Sequence, residues 1–320
     1  MRFRILGRTG LKVSEIGFGC WAIGGNAYGP VRDEDSLGAL EASYAAGVNL
    51  FDTADVYGEG HSELLLGRFL KDKPRDGIVL ATKGGWDFTS GAHRKNFSPD
   101  YLRRACEQSL ERLGTDHVDL YQLHNPSLEL IRSGDAVSTV ERLKKEGKVR
   151  AIGISVHTEA EALAALADER VGSLQLIFNI LDQRMAANVF AGAARRSTGL
   201  IVREPLASGL LTGKYPPGHE FPKNDHRRRW DAEKREWDWE KVQILRKATG
   251  WSNDALVQGA LEFVLSFSEV SSAIPGAKTK EQITAGLRAS FSPRLAVDDI
   301  TLLKKIYADN AVFRKGLLPR

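Results

Sequence analysis

The sequence predicts an α/β protein of the (β/α)8 TIM barrel class, and three observations support this prediction. Eight short apolar runs recur along the chain, and longer amphipathic stretches separate them. The runs are rich in Val, Ile, Leu and Phe without strict alternation, which is typical of parallel strands buried on both faces. The length of 320 residues suits one barrel, since eight strand–helix units need about 250 residues before insertions. We therefore expect residues 1–320 to form a single barrel domain.

The predicted strands follow one another along the whole chain. They cover residues 15–21, 48–54, 77–83, 118–124, 149–155, 173–179, 199–204 and 270–276. Helix signals are clearest in residues 34–47, 98–114 and 252–267. The second of these helices begins with Ser98 and Pro99 and ends at Gly114, and these residue types are favoured at the two ends of a helix.

Two segments lie outside the eightfold pattern. Residues 1–14 predict a β-hairpin that turns at Arg8–Gly10, and residues 206–237 predict a long loop after strand seven. A connection of that length is usually functional or mobile. It contains the basic run His226–Arg229, followed by Trp230. We expect this run to be a solvated loop, and contact with a cofactor phosphate is the alternative.

The composition argues against several classes of protein. Lys and Arg number 45 against 41 Asp and Glu, and the net charge of +4 is too small to indicate nucleic acid. Cys20 and Cys106 lack the spacing of a disulfide framework or a zinc site, so we expect no metal. The N-terminal residues lack an apolar signal core, and no run approaches about 18 apolar residues. We expect a cytoplasmic protein without a membrane span.

Four polar residues fall at or just after successive predicted strand ends. Asp52 lies near the end of strand two, and Tyr57 lies in the loop that follows it. Lys83 closes strand three and His124 closes strand four. Each residue alone is compatible with an ion pair or with core packing. In parallel barrels, however, the active site forms at the C-terminal ends of the strands, so these four are the predicted catalytic residues.

An acid, a base, a phenol and an imidazole suit the reduction of a carbonyl group. When a hydride attacks the carbonyl carbon, negative charge grows on the oxygen and a proton must be supplied. A tyrosine hydroxyl titrates near ~10, and a neighbouring ammonium lowers that pKa by stabilising the phenolate. On this hypothesis Lys83 assists Tyr57, and Asp52 holds Lys83 in place. A neutral His124 donates a hydrogen bond to the carbonyl oxygen and orients the substrate.

Three motifs carry these residues and resemble those of the aldo-keto reductases. They read FDTADVYGEGHSELLLG (51–67), VLATKGG (79–85) and DLYQLHNP (119–126). The opening of the chain is similar to the bacterial and potassium-channel beta-subunit branch of that family. The resemblance implies an NADPH-dependent oxidoreductase that interconverts an aldehyde or ketone and an alcohol, with Tyr57 as the proton donor.

The resemblance also implies where the cofactor binds. Residues 203–211 would wrap the pyrophosphate, and Lys278 with Lys280 would reach a 2′-phosphate, which favours NADPH although NADH is possible. Asn125, Ser155 and Gln175 match positions that hold the nicotinamide amide. The complete implied cofactor set is Cys20, Trp21, Asp52, Asn125, Ser155, Gln175, Arg203, Pro205, Leu206, Ser208, Gly209, Leu210, Lys214, Gly276, Lys278, Thr279 and Gln282.

Three positions depart from the family pattern. Val156 stands where Asn is common, Arg203 replaces an aromatic residue that often stacks on the nicotinamide, and Ala285–Gly286 replace a Glu-Asn pair. A planar guanidinium can also stack. The other two changes predict one lost contact to the amide and a different arrangement around the adenine.

Aromatic residues on the early rim loops predict the wall of a substrate site. This wall would be formed by Trp21, Tyr28, Trp86 and Phe88, with Trp230, Trp237, Trp239 and Trp251 as further candidates. Aromatic faces suit sugars, aryl aldehydes and steroids alike. Two other functions are compatible with the barrel, namely a cofactor-binding redox sensor with little turnover and an unrelated isomerase or hydrolase. The intact set of four catalytic residues favours an active reductase.

Overall fold

The structure is a computed structural model that describes residues 1–25 and 27–317. Within this part of the chain, eight strands pair in parallel in the order of the sequence. They are β1 (Phe18–Gly19), β2 (Leu50–Asp52), β3 (Val79–Gly84), β4 (Val118–His124), β5 (Val149–Ser155), β6 (Ser173–Ile177), β7 (Gly199–Arg203) and β8 (Val270–Ile274). Parallel bridges between Ile16 and Ala273 and between Gly19 and Gly276 bring the first strand against the last. The predicted (β/α)8 barrel is therefore confirmed.

Helices connect successive strands on the outside of this barrel. In the described residues they are α1 (Asp33–Ala45), α2 (His61–Leu70), α3 (Pro99–Leu113), α4 (Leu128–Ser133), α5 (Asp135–Lys145), α6 (Glu159–Ala167), α7 (Val189–Arg196), α8 (Ala232–Thr249), α9 (Asn253–Leu265), α10 (Lys280–Leu287) and α11 (Val297–Asp309). The three helices with the clearest sequence signals correspond to α1, α3 and α9. None of the helices described is long and apolar enough to cross a membrane.

The predicted N-terminal hairpin is confirmed, and it closes the N-terminal end of the barrel. Strands Phe3–Ile5 and Lys12–Ser14 pair in antiparallel fashion. Leu6 and Val13 are fully buried in the cluster that fills the barrel interior. The hairpin approaches the start of β7 so closely that a Cβ atom on Gly199 would lie 2.6 Å from Leu6 Cδ1. The packing of the hairpin against β7 therefore requires glycine at position 199.

The interior of the barrel changes from apolar to polar along the strands. Side chains two residues apart share one face of a strand, so the interior position after Leu50 is Asp52, and the one after Leu120 is Gln122. The apolar layer contains Leu50 and Leu120 together with Val79, Ala81, Ala151 and Ile201. The next layer toward the C-terminal ends carries the charged and amide groups of the candidate site.

The connection after β7 differs from the predicted loop of residues 206–237. Short 3₁₀ turns form at Ala207–Thr212 and His226–Arg229, and α8 begins at Ala232. The side chain of Asp231 caps this helix by accepting from the Lys234 backbone N–H at 2.7 Å. The prediction of a loop up to residue 237 is therefore wrong for its last six residues, because an effective N-cap starts the helix earlier.

Candidate active site

A buried ion pair forms the floor of the candidate site. Lys83 Nζ lies 2.5 Å from Asp52 Oδ1, and the two side chains are only 0% and 2% exposed. The ammonium also donates to the Thr53 carbonyl oxygen at 2.7 Å and to the Tyr57 hydroxyl at 3.3 Å. The three protons of the ammonium thus have three acceptors. This arrangement aims the charge of Lys83 at the phenol.

Two glutamines inside the barrel hold the other side of Asp52. Gln122 Nε2 and Gln175 Nε2 donate to Asp52 Oδ2 at 2.8 and 2.7 Å. Gln175 was predicted as a contact to the nicotinamide, but here its amide nitrogen is used by the carboxylate. Gln122 was not predicted as a site residue. Its position two residues before His124 in β4 was the available signal, since it places both side chains on the interior face.

Burial and the neighbouring charges together decide which form of Tyr57 is present. Burial acts to lower the pKa of the Lys83 ammonium, but the charges and hydrogen bonds of Asp52 and Tyr57 outweigh it, so that pKa is raised. Burial raises the pKa of the Tyr57 phenol, and the Lys83 charge opposes this effect without cancelling it. The expected net lowering of the Tyr57 pKa is therefore corrected, because desolvation is the larger effect. Tyr57 is protonated at neutral pH, as a proton donor must be.

His124 is a neutral imidazole beside this phenol. Burial lowers the pKa of His124 well below its usual value, and the charges of Lys83 and Arg203 act in the same direction. Its ring lies edge-on to that of Tyr57, with the centroids 5.8 Å apart. The two side chains line the same cleft. A neutral imidazole and a phenol in this arrangement can both donate to one substrate oxygen.

The four residues lie at the base of one large cleft at the C-terminal ends of the strands. Its volume is about 1700 Å³, which exceeds the roughly 300–1,000 Å³ of a typical small-ligand pocket. The predicted residues that line it are Cys20, Trp21, Tyr28, Asp52, Tyr57, Trp86, His124, Asn125, Gln175, Arg203, Pro205, Leu206, Ser208, Gly209, Leu210, Lys214, Gly276, Lys278 and Gln282. Lys83, Ser155, Thr279 and Phe88 do not belong to the lining. Lys83 is fully buried behind the lining residues Asp52 and Tyr57.

Ser155 acts through its neighbour Asn125. The Ser155 hydroxyl donates to Asn125 Oδ1 at 2.9 Å, and the Asn125 backbone N–H donates to the Ser155 carbonyl at 3.1 Å. Asn125 has a left-handed backbone, with φ of 56°, and Lys95 Nζ donates to its carbonyl oxygen at 2.7 Å. Because the amide oxygen is occupied, Asn125 can offer its amide N–H groups to the cleft.

Arg203 forms a polar network at the end of β7. Its Nη1 atom lies 2.9 Å from Glu204 Oε1, and its Nη2 atom lies 3.0 Å from His157 Nδ1. The Ser208 hydroxyl donates to Glu204 Oε2 at 3.0 Å. His157 also lines the cleft, although it was not predicted as a site residue. Its place just after β5 was a usable signal, because barrel sites form at such positions.

The loop after β7 has the backbone shape of an anion site. Glu204, Ala207 and Ser208 all have positive φ, between 49° and 53°, and Gly209 has φ of 90°. Left-handed residues in succession turn backbone groups into a concave surface that can bind anions. Lys214 follows on the lining of the cleft. This geometry suits the pyrophosphate position that the family resemblance implied.

Arg227 ties a neighbouring segment to this loop. Its guanidinium forms an ion pair with Asp225 at 2.6 Å and donates to the Ser208 carbonyl at 3.1 Å. The guanidinium carbon also lies 4.5 Å from the ring centroid of Tyr215 and 4.4 Å from that of Phe221. The prediction that the run His226–Arg229 is a solvated loop is therefore wrong for Arg227, which is 6% exposed. The spacing of the basic run did not indicate this, since these contacts depend on how the connection after β7 folds back on itself.

The residues predicted to bind the adenosine phosphate lie at and just before the start of α10. Lys278 Nζ donates to the Tyr28 carbonyl oxygen at 2.9 Å, and the Lys278 backbone N–H donates to Gln282 Oε1 at the same distance. Thr279 is the N-cap of α10, and its hydroxyl accepts from the Gln282 backbone N–H. Lys280 is exposed and lies outside the cleft lining. Of the two lysines expected near a 2′-phosphate, only Lys278 therefore lines the cleft.

Arg288 is a second cation on the cleft wall, in addition to Lys278. Arg288 lines the cleft together with Gln282 and Ala285, and the spacing of three residues places these side chains along one side of the helical segment. No carboxylate of the described residues lies within ion-pair distance of Arg288 or Lys278. Arg288 was not predicted, because the family motif ends before it. Both cations are available to an anionic ligand.

The predicted aromatic wall forms only in part. The ring centroid of Trp21 lies 6.3 Å from that of Tyr57, and Trp86 lies 6.5 Å from His124. Tyr28 packs against Trp21 rather than against Tyr57, and the ring centroids of Tyr28 and Trp21 lie 5.2 Å apart. Among the further candidates, Trp230 lines the cleft, whereas Trp237, Trp239 and Trp251 do not.

Phe88 is close to the cleft without lining it. It packs against His93, with the ring centroids 6.3 Å apart, and His93 belongs to the lining. Together with Trp86, these residues belong to the segment after β3. The part of the cleft predicted to bind the substrate thus combines aromatic faces with imidazole edges.

Comparison with known proteins agrees with this geometry. The profile of the aldo/keto reductase family matches residues 15–308. The NADH-specific methylglyoxal reductase of Escherichia coli (strain K12) is 31% identical, over 94% of this chain and 97% of that protein. The holo form of aldo-keto reductase AKR11C1 from Bacillus halodurans has a TM-score of 0.81 at 28% identity, covering 96% of both chains. Glycerol dehydrogenase AKR11B4 from Gluconobacter oxydans has a TM-score of 0.80 at 26% identity, covering 99% of this chain and 98% of that one. The chain therefore belongs to the aldo/keto reductase family.

Proposed function

We propose that this protein is an NADPH-dependent oxidoreductase that interconverts an aldehyde or ketone and the corresponding alcohol. The observation that carries the proposal is the chain of contacts from Asp52 through Lys83 to Tyr57 at the base of a large cleft. A fixed ammonium beside a protonated phenol is suited to delivering a proton to an oxygen that becomes anionic. Membership of the family supports the same reaction class, since the relatives named above include oxidoreductases.

Each residue of this group has a separate role in the proposed reaction. Tyr57 holds the proton that passes to the carbonyl oxygen, and the Lys83 ammonium stabilises the phenolate that remains. Asp52 keeps Lys83 charged and in place. His124 donates to the same oxygen and orients the carbonyl group. A bound reduced nicotinamide would supply the hydride that the carbonyl carbon receives.

The described residues fit a dinucleotide with a 2′-phosphate. The left-handed backbone from Glu204 to Gly209 and the nearby Lys214 suit the pyrophosphate. At the other end, Lys278 and Arg288 are cations on the cleft wall, which supports NADPH as the preferred cofactor. A charge-assisted hydrogen bond contributes roughly 1.5–3 kcal/mol. One such bond would give a preference of about one to two powers of ten.

The substrate we propose is a small molecule with oxygen atoms on neighbouring carbons. Methylglyoxal and glycerol, the substrates in the names of two relatives, both have this character. The substrate end of this cleft also offers polar edges from His93 and His157 beside the faces of Trp21 and Trp86. A purely aromatic pocket would not need the imidazoles.

The proposal is tested by mixing the purified protein with NADPH and a panel of small aldehydes, hydroxyaldehydes and ketones. We expect many turnovers per protein molecule, followed by nicotinamide absorbance, and quenching of tryptophan fluorescence by NADPH because Trp21 lines the cleft. Cofactor binding without multiple turnover on any member of the panel would favour the redox-sensor function instead. No response of the fluorescence or the melting temperature to either nicotinamide cofactor would contradict the proposal.

A further inference from the structure

His157 occupies a position in the cleft that the reaction described above does not use. It lies two residues after the end of β5 and is half-buried on the cleft wall. Its backbone N–H donates to Glu161 Oε2 at 2.8 Å, which ties the residue to the first turn of α6. The backbone that carries the imidazole is therefore held at the start of α6.

The contact with Arg203 fixes the position of the imidazole proton. A guanidinium has N–H donors and no acceptor, so His157 Nδ1 must accept from Arg203 Nη2 across their 3.0 Å contact. Burial lowers the pKa of His157 to about 4, and the Arg203 charge acts in the same direction. The ring is thus neutral at neutral pH. Its one N–H group must be on Nε2.

This N–H group is open to a ligand. Within residues 1–25 and 27–317, His157 Nε2 has no hydrogen-bond partner. It is also not one of the fully buried side-chain polar atoms that lack a partner in this part of the chain. Since the residue lines the cleft, the donor is available from the cleft side. The arrangement is rigid, because Glu204 holds Arg203 at 2.9 Å and Ser208 in turn donates to Glu204 at 3.0 Å.

The donor stands close to the reacting group. His124 and Ser155 are register partners in the neighbouring strands β4 and β5, and His157 follows Ser155 by two residues on the lining of the same cleft. The His124 ring in turn lies edge-on to that of Tyr57. A carbonyl held by Tyr57 and His124 therefore has His157 in its surroundings. An oxygen on the carbon next to that carbonyl can accept a hydrogen bond from such a donor.

We propose that His157 is a specificity-determining residue, whose Nε2–H group binds a second oxygen of the substrate, on the carbon next to the reacting carbonyl. The inference rests on the proposed function and assigns a residue to its substrate preference: through His157, α-hydroxy and α-oxo carbonyl compounds are preferred over simple aldehydes. Arg203 acts as a positioning residue, because it selects the tautomer that can donate. The cost of an unpaired donor makes an aldehyde without that oxygen the poorer substrate.

The test compares two aldehydes of nearly equal shape. Glycolaldehyde carries a hydroxyl group where propanal carries a methyl group. We expect the ratio of their kcat/KM values to favour glycolaldehyde in the wild type and to fall roughly three- to tenfold in His157→Leu, the range for one neutral hydrogen bond. His157→Gln keeps an N–H donor at a similar distance and should recover part of the ratio. His117→Leu is the matched control and should keep the wild-type ratio, because His117 directly precedes β4 and lies at the other end of that strand from His124.

The outcomes separate this inference from the proposed function. An unchanged ratio in His157→Leu, with turnover of both aldehydes, overturns the inference and leaves the proposed function standing. Equal losses for both aldehydes together with weaker NADPH binding would assign His157 to the cofactor, which also overturns the inference. Failure of the wild type to reduce either aldehyde with either cofactor overturns the inference, and the panel and cofactor titration described above then decide on the proposed function.

A second measurement does not depend on activity. Two-bond ¹H–¹⁵N correlation spectra distinguish the two neutral imidazole tautomers and the imidazolium. We expect His157 to be neutral at pH 6, with its proton on Nε2. In Arg203→Met we expect both neutral tautomers, because no guanidinium donates to Nδ1. A protonated ring at pH 6, or a proton on Nδ1 in the wild type, would overturn the assignment of Nε2–H as the donor.

Discussion

Replacement of Lys83 by Met would separate the structural role of the buried ion pair from its catalytic role. Met has a similar length and fills the same space without a charge. Asp52 would lose the ammonium that lies 2.5 Å from its Oδ1 atom, but would keep the amide donors of Gln122 and Gln175 on Oδ2. Removing one partner of a buried pair costs about 3–5 kcal/mol. Because two hydrogen bonds remain, we expect a loss near the lower end, about 3 kcal/mol of the free energy of unfolding.

The double variant Lys83→Met with Asp52→Asn distinguishes the two roles. It removes the second charge as well, and neutral groups in place of a buried pair are often tolerated, so most of the lost stability should return. Activity should not return, because the Tyr57 phenol would lack the ammonium that opposes the effect of burial on its pKa and stabilises the phenolate. We expect turnover at neutral pH to fall roughly 10²- to 10⁴-fold in both variants.

Two assays measure these effects independently. Urea unfolding followed by tryptophan fluorescence gives the free energy of unfolding, and nicotinamide absorbance with a good aldehyde gives turnover. Wild-type stability of Lys83→Met would show that the ion pair does not hold the site together. Wild-type turnover of the double variant would refute the assignment of Lys83 to the proton transfer.

Two further predictions concern the cofactor and the pH dependence of stability. Lys278→Ala should weaken NADPH binding roughly 10- to 100-fold, leave NADH nearly unchanged and make this difference smaller as salt rises, whereas Lys280→Ala should change little. Equal affinities of the wild type for both cofactors at low salt, measured by fluorescence titration, would contradict this. The free energy of unfolding should fall as the pH drops from about 7 to 5, because the unfolded chain protonates His124 near 6.5 while the folded protein holds that pKa well below. His124→Phe should reduce the slope in urea unfolding at several pH values, and an identical slope in both proteins would rule out this cause.

The fold could be predicted from the sequence because its strongest signals are local. Runs such as residues 118–124 are rich in apolar residues, and the structure has a strand over the same residues. The Ser98–Pro99 start and the Gly114 end of α3 agree with the helix Pro99–Leu113. The first strand was predicted too long, since the chain turns into the 3₁₀ segment Cys20–Gly24 directly after β1. Such a turn depends on contacts with the rim rather than on the local pattern.

The candidate site was predictable where its residues follow strand ends. The structure brings Asp52, Tyr57, Lys83 and His124 together, because parallel strands end at one rim. The contact between Arg227 and the loop at Ser208 was not predictable, since it joins residues in different turns of a long connection. The same limit applies to the network of Arg203 with its neighbours. These contacts depend on how loops pack, which residue spacing does not encode.

The replacement of Tyr57 by Phe tests the central proposal most directly. The ring would keep its packing beside Trp21 and His124, and only the hydroxyl that contacts Lys83 would be lost. The measurement is turnover of a good aldehyde together with NADPH affinity, both on the same preparation of the variant. We expect turnover to fall by at least roughly 10²-fold while NADPH affinity changes by only a small factor. Turnover close to that of the wild type would contradict the assignment of Tyr57 as the proton donor.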